Sequence, residues 1–215
     1  MTLSYSSGLL NRNLAPGISE FTSCNAPDIT AYHPDASHWL TNHFLNSAFR
    51  GTFKNKHRQY AMNLIFRAQV SFADYHEARG FTAEYLVKGN PHNPATRAYF
   101  RAIARWESCL LNLQIFIDVM NKMKKEFKDD PVFEEGDGTV KQRSYSIANT
   151  VKHFGSDVFN DRHHEEHTVP LWLTNAGLQT HSHALTFNEL AKPVSDVAIT
   201  AAELQDPLSF GEHPK

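Results

Sequence analysis

The chain's 215 residues suit one domain with a sizeable core, and 41% hydrophobic with 20% charged residues is the balance of a folded globular protein. A formal net charge of −2 excludes a global basic field, so a nucleic acid would have to meet a local patch. No stretch approaches the roughly eighteen apolar residues of a membrane span, which points away from a membrane partner, and the N-terminus lacks the basic start and apolar run of a signal peptide.

Residues 1–35 read as an extended N-terminal arm, punctuated by Pro16-Gly17, Pro27-Asp28 and Pro34 and packed on the body through Leu9, Leu10, Ile18 and Phe21. Residues 36–215 read as one helical domain. Trp39, Leu40, Phe44, Leu45 and Ala48 give a helical stripe over about 36–49. Tyr60, Leu64, Ala68, Phe72 and Tyr75 predict a second helix over about 56–79, interrupted at Gly80, with a shorter piece over about 81–88. Asn93 as cap and Pro94 in the first turn open a third long helix that runs to about Phe127. From Cys109 to Met120 it is apolar nearly all round, broken only by Asn112, Gln114 and Asp118, which places it at the centre of a bundle. Cys109 therefore reads as a core thiol, and with Cys24 far away in sequence the pair suits a reducing cytoplasm rather than a disulfide. Helix resumes over about 139–159 with Ile147, Val151, Phe154 and Val158 as its buried stripe. A β-hairpin is expected within about 169–186, turning at Asn175-Ala176-Gly177, and Thr186 with Glu189 forms a capping box for a last helix over about 187–204. The expected fold is mainly α, a helical bundle of four to five long helices with a small C-terminal β-hairpin.

Three clusters carry chemistry. Arg50, Lys54, Lys56 and Arg58 form the best local basic patch, with Phe53 and Tyr60 nearby to stack a base. Asn149 and His153 lie four apart on the fourth long helix, on a face expected to point away from its apolar stripe. Arg162-His163-His164-Glu165-Glu166-His167 pairs an Arg, which holds phosphate bidentately, with a His that moves protons near neutral pH. Within it, His163, Glu166 and His167 also fit an inverted zincin spacing, although no convincing third ligand follows, so no metal or other cofactor is expected. His181 and His183 are expected on one face of a strand. A glycine-rich phosphate loop, a nucleophile elbow and paired Glu-x-x-His helices are all missing from the sequence.

On Ala148-Asn149-Thr150-Val151-Lys152-His153, on Arg162 to His167 and on its helix order, the chain resembles the HEPN superfamily over roughly residues 36–160. Active members of that superfamily carry Arg, a polar residue, three variable positions and His on a late helix, and dimerise to build a metal-independent ribonuclease site. Here Ala148 stands at the Arg position, so the motif is degenerate. The resemblance thus implies a cytoplasmic, homodimeric, non-catalytic binding or regulatory domain, associated with RNA or a nucleotide in bacterial defence, toxin–antitoxin or stress systems. Two alternatives stand beside it. One is an endoribonuclease using Arg162 with His167 or His153, and the other is a structural subunit that binds a protein partner.

Overall fold

The computed structural model describes residues 5–50, 53, 55–90, 92–162 and 168–206. Its helices are α1 (Ser7–Asn13), α2 (Trp39–Phe49), α3 (Asn55–Lys88), α4 (Thr96–Phe127), α5 (Val140–Phe159) and α6 (Phe187–Leu204). Its strands are β1 (Trp172–Leu173), β2 (Gly177–Gln179) and β3 (Ala184–Thr186). The fold is mainly α, as expected, with six helices among the described residues.

Helices α3 and α4, of 34 and 32 residues, lie antiparallel and form the centre. Trp106 of α4 is fully buried, meets Tyr75 edge-on at 5.3 Å and lies against Phe187 of α6 at 5.5 Å. Its indole N–H donates to Thr82 Oγ1 at 3.1 Å, so this large core side chain keeps its polar atom satisfied. A polar seam crosses the same interface. Asp74 is buried and accepts from Arg105 at 2.9 Å and from Ser108 at 2.5 Å, while Asn112 accepts from Arg67 at 2.9 Å.

The helix expected to break at Gly80 runs straight through it. Nothing lies within 4 Å of a Cβ placed there, and Ala78, Thr82 and Tyr85 on either side are buried. Their burial outweighs the roughly 1 kcal/mol that an interior glycine costs a helix. The start of α4 also differs. Asn93 bridges back to Asn90 and accepts from Ala95 N–H, and Ala95, in the left-handed region at φ 44°, occupies the cap position. The Thr186–Glu189 capping box is present.

The segment before α2 is more structured than an extended arm. It holds α1 and short 3-10 turns, and buries Ala15, Ile18, Phe21 and Ile29, although Leu9 is exposed. Asn175 ties it down by accepting from Thr22 and Ser23 N–H at 2.9 and 3.0 Å. The sheet carries the expected hairpin and a third strand. The chain reverses again at Thr180–His183, so His181 and His183 belong to a turn rather than to one strand face. Arg143 of α5 reaches across to Glu189 at 2.6 Å and to the Ala184 carbonyl at 3.1 Å, binding α5 to the sheet and α6.

Gly177 of β2 faces Thr186 of β3, and a Cβ on it would run into the Leu185 carbonyl oxygen and Thr186 Cα. Both obstacles are backbone and have little room to yield. Gly177→Ala is expected to lower the urea midpoint with an unchanged slope, at a cost of about 2 kcal/mol. An unshifted midpoint would show that the two strands can separate without penalty.

Candidate functional site

The hexad on α5 is divided between the core and the solvent. Ala148 is fully buried, so the first motif position points into the bundle. Asn149 does not face outward with His153: buried Gln114 of α4 donates to its Oδ1 at 2.5 Å. One turn earlier Tyr145 donates to Asp118 at 2.9 Å in the same helix pair. Thus α5 turns its 145 and 149 positions toward α4, whereas His153 is exposed. Val158, expected in the buried stripe, is 48% exposed.

Arg162 is exposed just beyond α5, its backbone N–H bonded to the Asp157 carbonyl at 2.9 Å. His163, Glu166 and His167, with His164 and Glu165 between them, lie outside the described residues, as does Lys54. Among the described residues no three His, Cys, Asp or Glu side chains gather as metal ligands. No described helix is long and apolar enough to cross a membrane.

The basic patch is partly neutralised within the fold. Arg50 pairs with Asp206 at 2.7 Å, and Lys56 with Glu126 at 2.6 Å. Arg58 is exposed and has neither an ion pair nor a hydrogen bond among the described residues.

Arg58 borders a groove of about 740 Å³ between α2 and the first turns of α3, within the range of about 300–1,000 Å³ usual for small-molecule sites. The end of α6 anchors α2 beside it. His43 Nδ1 lies 3.1 Å from the Leu204 carbonyl, Asn42 donates to Gln205 at 2.7 Å, and Asn46 donates to the Gln205 carbonyl at 3.0 Å. With α2 held there, one side of it is left uncovered. Phe44 is 67% exposed, and across the groove Met62 and Phe66 of α3 are 49% and 42% exposed. The helical stripe of α2 is therefore not one buried face: Trp39 points inward, while Phe44 and Leu45 point out.

Two polar atoms of its lining residues, Ser47 Oγ and Asn63 Oδ1, are buried and have no hydrogen-bond partner among the described residues. Leaving such an atom unpaired costs about 1–3 kcal/mol. His43 is also in the lining, and burial lowers its pKa, so it is neutral near pH 7. The groove was missed at the level of sequence. Its one signal there was the apolar arc of α2, wider than a single packed face requires.

Comparisons with protein-family models, with curated proteins and with solved structures gave no match.

Glu107 of α4 is half-buried, and burial alone pushes its carboxyl up to about 7. With the folded pKa above the ordinary 4.5, its stabilising contribution is fully present below about pH 4.5 and is lost as pH rises through about 7. Glu107→Gln removes this titration. The variant is expected to match wild type in urea melts near pH 4 and to exceed it at pH 8 by about 2 kcal/mol. Equal stability at pH 8 would mean that the carboxylate is solvated after all.

Proposed function

We propose that this chain is a non-catalytic HEPN-like binding domain whose ligand site is the groove between α2 and α3. The groove itself supports this most directly. Three large apolar side chains stay exposed opposite one another, with the Arg58 guanidinium at the edge of the groove. A contiguous apolar surface bordered by a polar group is a usual form of small-molecule site. The state of the α5 hexad supports the non-catalytic part. Its Arg position is a buried alanine, and its Asn is already bonded to Gln114, so neither of those two motif positions offers a group to grip a phosphate.

Two measurements test the two parts. The neutral dye N-phenyl-1-naphthylamine is expected to brighten on binding wild type and to lose at least about tenfold in affinity on Phe44→Ser/Met62→Gln, which removes most of two apolar contacts. Equal binding by the variant would place the dye elsewhere and overturn the groove as the site. Labelled RNA incubated with the protein in EDTA is expected to stay intact. Cleavage that disappears in Arg162→Ala/His167→Ala would instead establish the ribonuclease alternative.

A further inference from the structure

The groove has a direction. Leu40, at the start of α2, is tied to Gln69 of α3, whose Oε1 accepts its N–H at 3.1 Å. The end of α2 lies beside the start of α3, with Ala48 and Arg58 in one lining. Leu40 and Phe66 thus mark one end, and Ala48 and Arg58 the other.

The charge of the lining is equally uneven. None of the described lining residues is acidic, and His43 is neutral, which leaves Arg58 as the cation. Its neighbours in sequence, Arg50 and Lys56, have each found a carboxylate, but Arg58 has none among the described residues. An unpaired guanidinium at the mouth of an apolar groove is complementary to an anionic head on an apolar body.

We propose that the groove between α2 and α3 binds an anionic acyl amphiphile, a single acyl chain that ends in a carboxylate. Its chain lies on Phe44, Met62 and Phe66, and its carboxylate meets Arg58. Both parts of that ligand answer groups left open among the described residues. The inference rests on the groove being the binding site and adds the chemical class of its occupant.

The test uses the full chain and displacement of N-phenyl-1-naphthylamine by N-dodecanoylglycine and by its neutral primary amide, both below their micelle concentrations. Wild type is expected to bind the acid about fivefold more tightly than the amide, as suits an exposed ion pair. In Arg58→Gln, a substitution at an exposed side chain, that preference is expected to vanish while binding of the amide is retained. Equal affinity for acid and amide in wild type, or a preference that survives Arg58→Gln, overturns the inference. If the dye binds in the groove and neither amphiphile displaces it, the ligand class is wrong and the groove remains a site. If the dye does not bind, the reading of the groove falls as well. Light scattering supplies the last arm. A wild-type dimer that becomes monomeric in Phe44→Ser/Met62→Gln would make a second copy the occupant and overturn the proposal.

Discussion

Asp74 is a carboxylate removed from water between two helices, and an unpaired charge in that position would cost several kcal/mol. It is tolerable because Arg105 and Ser108, three residues apart on α4, both reach it. The Asn112–Arg67 bond continues the same seam about one turn further along α4. Sliding α3 along α4 by a turn would break these bonds together, so the seam fixes the register of the two longest helices. Breaking such a pair is much more costly than forming it is favourable, and its value lies in specifying one arrangement.

The rest of the fold follows from that register. It sets Trp106 against Tyr75 and Thr82, which in turn receives Phe187 at the start of α6. Helix α6 then ends beside α2, where Leu204, Gln205 and Asp206 take up His43, Asn42, Asn46 and Arg50. Those contacts occupy one side of α2 and leave Phe44 and Ser47 facing the groove toward α3. A site on the surface is thus a distant consequence of a buried carboxylate.

Polar groups in this protein divide into those the architecture has used and those it has not. Asn112, Gln114 and Asp118, the three interruptions of the apolar run of α4, each bond a neighbouring helix through Arg67, Asn149 and Tyr145. Arg50 and Lys56 are likewise occupied by Asp206 and Glu126. Arg58 is left without a partner among the described residues, and it borders the groove. A ligand gains most from groups that have not already exchanged their water for another partner.

The sequence by itself determined the elements whose causes are local. Helical periodicity located the long helices, Thr186 and Glu189 set the start of α6, and the apolar run of α4 marked the centre of the bundle. It misjudged Gly80, where a small local penalty is overcome by burial on both sides, and the start of α4, where Asn93 bonds backward to Asn90. Only the tertiary structure decided which way the polar residues turned. Asn149 looked free because a helical wheel shows a face and not its neighbour, and Gln114 lies 35 residues away in the chain. The same holds for Arg50, whose partner is 156 residues distant, and for Phe44, exposed because α6 holds α2 from one side. Periodicity is a property of consecutive residues, whereas the pairing of a charge or the covering of a face depends on segments that meet only once the chain has folded.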